Sequence, residues 1–152
     1  MIVLVGYGNP LRRDDGAGPA LARMVEAWGG RSDMKVITLH QLVPEVAEVL
    51  AETGVAAVFF LDACVNDCVG GDMVAICPVS GEGTSPAFGH HFSPGDLLRY
   101  AEFLRMAPLP AWQLTIPGID FGYGEGLSGY SEENLAVAFE KLQVFLRKIL
   151  LQ

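Results

Sequence analysis

The sequence predicts a three-layer α/β/α sandwich built on a twisted, mostly parallel sheet of five strands. Short apolar runs alternate with segments of helical periodicity along the 152 residues, which is the order typical of βαβ units. One run, Val55–Leu61, is continuously apolar, as expected for a strand buried on both faces. No repeat or linker divides the chain, so we expect residues 1–152 to form a single α/β domain.

The first βα unit is predicted from an apolar run and an amphipathic stripe. Ile2–Gly6 has the composition of a buried strand, and a helix is expected over Gly16–Trp28. Pro19 suits the first turn of that helix, and Gly29-Gly30 ends it.

The middle of the chain continues the alternation of strands and helices. Lys35–Leu39 is predicted as the second strand, and Pro44 opens a second helix that Gly54 closes. Val55–Leu61 is the third strand and Met73–Cys77 the fourth. Two strands therefore follow one another here without a helix between them.

The last part of the chain contains a third helix, a fifth strand and a fourth helix. Ser93 and the proline after it make a good start for a helix over Pro94–Arg105. Ala111–Ile116 is predicted as a strand. A long helix is expected from Ser131 to Leu150, because the acidic residues of its first turn suit the helix dipole.

The bulk composition excludes several classes of partner. The net charge of −8 and the pI of about 4.7 disfavour binding to nucleic acid or to an anionic membrane. No apolar run is long enough to span a bilayer, and the first residues lack the basic region of a signal peptide. An odd number of cysteines, three, without secretory signals favours reduced thiols and a cytoplasmic protein.

The segment Gly6–Gly18, directly after the first strand, is the most informative motif. Its glycines have the wrong spacing for the G-x-G-x-x-G loop of dinucleotide-binding proteins. Asp14 and Asp15 would also repel a pyrophosphate, whereas adjacent carboxylates suit a metal ion or a polar substrate. The loop therefore argues for a metal or a polar ligand before it argues for a nucleotide.

Polar residues follow three of the predicted strands. Asp14 and Asp15 come after the first strand, Asp62 after the third, and His90 and His91 after the fourth. Because ligands of open α/β sheets bind outside the carboxyl ends of the strands, these residues can converge on one edge. Two carboxylates and an imidazole would form a three-ligand metal site with open positions.

Each of these residues also has a purely structural interpretation. The acidic pair could cap the following helix, Asp62 could end its strand in a turn, and the histidine pair could lie in an exposed loop. His40 ends the second strand and is expected at the surface or beside a ligand. Cys64 lies close to Asp62, but nothing near it indicates an activated nucleophile.

Four segments together resemble the maturation endopeptidases of nickel–iron hydrogenases, which trim a C-terminal extension from the large-subunit precursor. Gly6–Gly18 contains the opening G-x-G-N-x-L-x-x-D-[DE]-x-x-G pattern in full. Phe59–Ala63 matches the strand that ends in a carboxylate, His90–Leu98 the histidine loop before a helix, and Gly124–Ser128 the late glycine-rich segment. The resemblance covers nearly the whole chain and implies the same α/β fold.

The resemblance also implies the site residues. In that family the second acid of the first motif, the strand-end aspartate and the loop histidine bind metal, which corresponds to Asp15, Asp62 and one of His90 and His91. His90 fits the H-x-x-S-P-x-D-L-L spacing. The family often has glutamate where this chain has Asp15, so the ligand oxygen is set back by about 1.5 Å.

The implied activity is proteolysis directed by nickel. The nickel already inserted in the precursor would be the recognition element, and no firmly bound resident metal is expected. Asp15 or Asp62 would act in catalysis, by an aspartic or a metal-dependent mechanism. The implied partner is the hydrogenase large-subunit precursor, and we expect a monomer. The alternatives are a non-proteolytic nickel accessory protein of hydrogenase assembly and a nucleotide-binding domain, which the acidic pair disfavours.

Overall fold

The computed structural model describes residues 1–29, 32–65, 73–81 and 92–151. These residues form five strands and four α-helices in the predicted order. The strands are β1 (Ile2–Tyr7), β2 (Met34–Leu39), β3 (Ala57–Cys64), β4 (Ala75–Pro78) and β5 (Ala111–Pro117). The helices are α1 (Ala17–Gly29), α2 (Glu45–Leu50), α3 (Pro94–Arg105) and α4 (Gly129–Leu150). A 3-10 turn, Arg13–Gly16, leads into α1.

The strands form one sheet in the order β2-β1-β3-β5-β4. β2, β1, β3 and β5 are parallel, and β4 pairs antiparallel with β5 at the edge. The predicted five-stranded, mostly parallel sheet is therefore confirmed. The crossover from β2 to β3 passes over β1, so β1 and β3 are neighbours and their carboxyl ends lie side by side.

The sheet separates two hydrophobic cores. In β3, Phe59 and Leu61 face the core under α1 and α4, whereas Val58 and Phe60 face the core under α2 and α3. All four side chains are fully buried, as expected for a strand covered on both faces. Helices pack on both sides of the sheet, and the predicted three-layer architecture is confirmed.

Two element boundaries differ from the prediction in ways that affect the site. β3 continues beyond Leu61 to Cys64, because it stays paired with β5 as far as Pro117, so Asp62 lies inside the strand. α4 begins at Gly129 and not at Ser131. Its N-cap is Ser128, whose hydroxyl oxygen accepts a hydrogen bond from the Ser131 amide.

The α3 helix begins and ends where the sequence predicts. Ser93 and Asp96 form a reciprocal capping box, in which each side chain accepts a hydrogen bond from the other residue's backbone amide. No helix in the described ranges is both long and apolar enough to cross a membrane. Cys77 is a free, exposed thiol, whereas Cys64 is disulfide-bonded, so the prediction of reduced thiols is wrong at Cys64.

Candidate functional site

Asp15 and Asp62 line the same pocket at the carboxyl edge of the sheet. The pocket has a volume of about 260 Å³. Asp15 enters it from the 3-10 turn after β1, and Asp62 enters it from β3. The wall is completed by residues from the end of β1, the loop before α2 and the segment before α3: Tyr7, Gly8, His40, Gln41, Leu42 and Phe92. The predicted convergence of these two acids is therefore present.

The loop between β1 and α1 folds tightly around Asp15. The Asn9 amide donates a hydrogen bond of 2.7 Å to Oδ2 of Asp15, and the Asn9 side chain accepts one of 3.0 Å from the Leu11 amide. Gly8 has φ 145°, and a Cβ at this position would collide with the carbonyl oxygen of Asp15. Glycine is required here because the backbone must pass directly against Asp15.

Asp62 has a carboxyl group with an altered affinity for protons. Burial raises its pKa to about 7, and the negative charge of Asp15 acts in the same direction. Hydrogen bonding from Tyr7 and from the Ala63 backbone partly opposes this increase. Asp62 can therefore exchange a proton near neutral pH, which is the property required of a general acid or base.

Asp14, the neighbour of Asp15, points away from the pocket and is fully buried. Its carboxylate accepts four hydrogen bonds of 2.7–2.9 Å, from the amides of Ile119, Asp120 and Ser128 and from the Ser128 hydroxyl. Burial raises the pKa of Asp14, but these hydrogen bonds outweigh it and leave the pKa below its ordinary value. The two adjacent acids therefore have different tasks, and Asp14 holds the segment before α4 against the first motif.

We expect Asp14→Asn to destabilise the protein by about 3 kcal/mol. The amide would lose charge-assisted hydrogen bonds and point its own donors at the donors of residues 119–128. Because the folded-state pKa is lowered, the stability that Asp14 provides is complete above its unfolded pKa and is lost as pH falls through the folded one. Urea unfolding at pH 7 and at pH 3 measures both effects.

The matched control for this prediction is Glu26→Gln, which removes a carboxylate on the exposed side of α1. It should change the free energy of unfolding by no more than about 0.5 kcal/mol. An Asp14→Asn protein as stable as this control at pH 7 would contradict the anchoring role.

The structure assigns places to most of the predicted site residues. Asp15 and Asp62 are together, and Asp14 is separate from them. His90 and His91 lie outside the described residues, but Phe92, the next residue in the chain, lines the pocket. Among the described residues, no group of three histidine, cysteine or acidic side chains could hold a metal ion.

Among the pocket residues that were not predicted as ligands, His40 and Tyr7 are the two that a signal in the sequence could have placed there. His40 follows β2, so the same strand-end rule that placed Asp62 could have placed it. Tyr7 ends β1 and continues the alternation of Val3 and Val5, which indicates the face to which its side chain points.

Two larger cavities lie away from these acids. One, of about 620 Å³, lies between the end of β4 and α3, and the other, of about 470 Å³, lies between β4 and α4. Neither brings together carboxylates at the ends of parallel strands. The smaller pocket at the sheet edge is therefore the better candidate for chemistry.

Comparison with known proteins gives a consistent answer at the level of the fold. No protein-family profile matches the sequence, and no curated protein is similar enough in sequence to count as a relative. Solved structures do match. The hydrogenase maturating endopeptidase HybD from E. coli has a TM-score of 0.76 at 19% identity, over 97% of this chain and 92% of that one.

Two further structures agree with this match. The [NiFe] hydrogenase maturation protease HycI from Thermococcus kodakarensis gives a TM-score of 0.73 at 20% identity, covering 96% of this chain and 92% of that protein. The solution structure of the endopeptidase HycI from Escherichia coli gives 0.70 at 18% identity, with 95% and 90% covered. The chain thus has the fold of these maturation proteases, as the resemblance in the sequence implied.

Proposed function

We propose that this protein is an endopeptidase that removes the C-terminal extension of a nickel–iron hydrogenase large-subunit precursor after nickel insertion. One observation carries the proposal. Asp15 and Asp62, the two acids of the motifs, line one small pocket in a fold shared along almost the full chain with proteins named hydrogenase maturation proteases. The competing interpretations were a helix cap for Asp15 and a turn at the strand end for Asp62, whereas Asp15 accepts its hydrogen bond from the Asn9 amide and Asp62 lies inside β3.

The nickel in this proposal belongs to the substrate. Asp15, Asp62 and His90 would be the groups that bind it and thereby place the scissile bond at the pocket. Carboxylate and imidazole ligands suit nickel, and two carboxylates with one imidazole leave positions for the ligands that the precursor supplies. The place of Phe92 in the pocket wall supports the choice of the histidine pair two and one positions before it. A precursor without nickel would lack the group to be recognised.

Hydrolysis of the peptide bond requires proton transfer at two points. Water must lose a proton as its oxygen bonds to the carbonyl carbon, and the departing amine must gain one as the C–N bond breaks. In the metal-free protein the carboxyl group of Asp62 has a pKa of about 7, and in a step in which it is not bound to nickel it can take the first proton and return it in the second. The neighbouring charge of Asp15 contributes to the raised pKa of Asp62. This supports Asp62 as the acid–base group and Asp15 as its partner.

The main alternative is a nickel accessory protein of hydrogenase assembly that binds the precursor without cutting it. Such a protein would use the same carboxylates but would need no proton-transfer group. The raised pKa of Asp62 favours the protease. We also propose that the protein acts in the cytoplasm, as a monomer, on a single precursor. If it is a monomer, size-exclusion chromatography should give the mass of one 16.3 kDa chain.

The decisive experiment is cleavage of two forms of the folded precursor. The purified protein is incubated with nickel-loaded and with nickel-free large-subunit precursor, and the mass of the subunit is followed. We expect shortening of the nickel-loaded form alone. A nickel-loaded precursor that binds the protein and keeps its full length would favour the accessory role, and one that is neither bound nor cut would contradict both.

Separate His90→Ala and His91→Ala variants distinguish the two histidines. We expect His90→Ala to lower the cleavage rate by about 10-fold to 100-fold or more. His91→Ala should cleave at close to the wild-type rate. The reverse result would move the ligand assignment to His91 and leave the proposed activity intact.

A further inference from the structure

Three polar side chains lie on three neighbouring strands: Tyr7 at the end of β1, Asp62 near the end of β3 and Gln113 in the first half of β5. β3 and β5 pair with Phe60 opposite Gln113, and alternate residues of a strand point to the same face. Asp62 and Gln113 therefore share a face with Phe60, in the core beneath α2 and α3, and Tyr7 packs against that core as well. The three side chains form a polar row across the sheet.

The row has a defined direction of hydrogen bonding. Nε2 of Gln113 donates to the Tyr7 hydroxyl oxygen over 3.4 Å. Tyr7 and Asp62 line the same pocket, where the Tyr7 hydroxyl lies within hydrogen-bonding reach of the Asp62 carboxylate. Because the Gln113 amide donates to a lone pair of the phenol oxygen, the hydroxyl proton is left available for donation to Asp62.

We propose that Tyr7 is a positioning residue of the site: its hydroxyl, held by Gln113, fixes the Asp62 carboxylate so that one carboxylate oxygen is presented to the pocket. This inference rests on the proposed function, in which Asp62 meets the nickel and the scissile bond of the precursor. A carboxylate held at one oxygen by a tyrosine offers its other oxygen as a single, oriented ligand. Hydrogen-bonding partners of this kind set the orientation of metal ligands in many sites.

The position of Tyr7 separates this role from simple packing. Its ring packs against the core under α2 and α3, and the same residue lines the pocket beside Asp62. Tyr7→Phe keeps the ring and deletes the hydroxyl alone, so the two contributions can be measured apart. Tyr100→Phe, on the exposed side of α3, is the matched control.

The test has one readout that is independent of activity. In the isolated protein, the carboxyl ¹³C resonance of Asp62 should shift in Tyr7→Phe and stay in place in Tyr100→Phe. Calorimetry with Ni²⁺ alone should give an affinity about 10-fold to 100-fold lower for Tyr7→Phe. With nickel-loaded precursor, KM should rise by a similar factor. Gln113→Leu removes the amide that donates to the Tyr7 hydroxyl. It should also lower the Ni²⁺ affinity, but by a smaller factor than Tyr7→Phe.

The outcomes separate this inference from the proposed function. If the wild type cleaves the precursor and Tyr7→Phe matches it in the Asp62 resonance, in Ni²⁺ affinity and in KM, the positioning role is overturned and the protease activity stands. If the wild type cleaves no precursor, the proposed function fails, and an unchanged Asp62 resonance in Tyr7→Phe would still overturn the role of Tyr7. A Tyr7→Phe protein in which the Asp62 resonance shifts and the thermal stability is kept supports the positioning role of Tyr7.

Discussion

Asp62→Asn is expected to abolish cleavage of the nickel-loaded precursor and, at the same time, to make the isolated protein more stable above neutral pH. The amide cannot accept a proton from water, and it is a poor metal ligand, so both proposed uses of Asp62 are lost. We expect the rate to fall by at least about 1,000-fold. Asp15→Asn should also lose most of the activity but should not stabilise the protein in this way.

The gain in stability follows from the raised pKa of Asp62. Burial favours the neutral carboxyl group, so the folded-state pKa is about 7 while the ordinary value is 3.8. The stability associated with the protonated form is therefore complete below about pH 4 and is lost as pH rises through about 7. An asparagine stays neutral throughout, and the variant should melt about 5 °C above the wild type at pH 8 and close to it at pH 4.

Thermal unfolding across this pH range and a precursor-cleavage assay measure the two effects on the same samples. Glu48→Gln, on the exposed side of α2, is a control that should change neither the melting temperature nor the cleavage rate. If Asp62→Asn cleaved the precursor at the wild-type rate, Asp62 would have no part in the proposed mechanism. Equal melting temperatures at pH 8 would instead show that the carboxylate is ionised in the fold at little cost.

Gly18→Ala is expected to cost at least about 3 kcal/mol or to prevent folding. Gly18 lies in the first turn of α1, where the helix rests directly on the sheet. A Cβ at this position would lie 2.6 Å from the carbonyl oxygen of Tyr7 and would collide with that of Leu61. Both obstacles are backbone atoms of β1 and β3, which cannot move aside as a flexible side chain would.

Urea unfolding measures this effect, and the chain provides a matched control. Gly129 also begins a helix, but a Cβ added there meets no atom within 4 Å. Gly129→Ala should leave the protein as stable as the wild type or slightly more stable, because alanine loses less backbone entropy on folding. If both variants unfolded at the same urea concentration, the close approach of α1 to the sheet would not be the reason for Gly18.

The parts of the fold that depend on local pattern were predictable from the sequence. The apolar run of β3, the N-terminal signals of α3 and the alternation of strands and helices were sufficient for the sheet and its three layers. The strand-end rule also placed Asp15 and Asp62 together, because it depends only on parallel pairing.

The parts that depend on distant segments were not predictable. Asp14 and Asp15 are adjacent in sequence and have the same side chain. They differ because residues 119–128 pack against the first motif and donate hydrogen bonds to Asp14. The acidic residues after Ser131 indicate a helix start there, whereas α4 begins at Gly129 with Ser128 as its N-cap. His90 and His91 lie outside the described residues, so their assignment stays a prediction.

The hydrogen bonds between Asp14 and Ser128 join residues that are 114 positions apart. Closing so long a loop has a large entropic cost, and such contacts form only after the segments between them have come together. During synthesis, a nascent chain that ends before Ser128 can already contain Asp15 and Asp62, but it lacks the two hydrogen bonds from Ser128 that hold Asp14, the neighbour of Asp15. We therefore expect the pocket that Asp15 and Asp62 line to be completed among the last steps of folding. In the proposed function, this order would keep an unfinished chain from cutting the precursor.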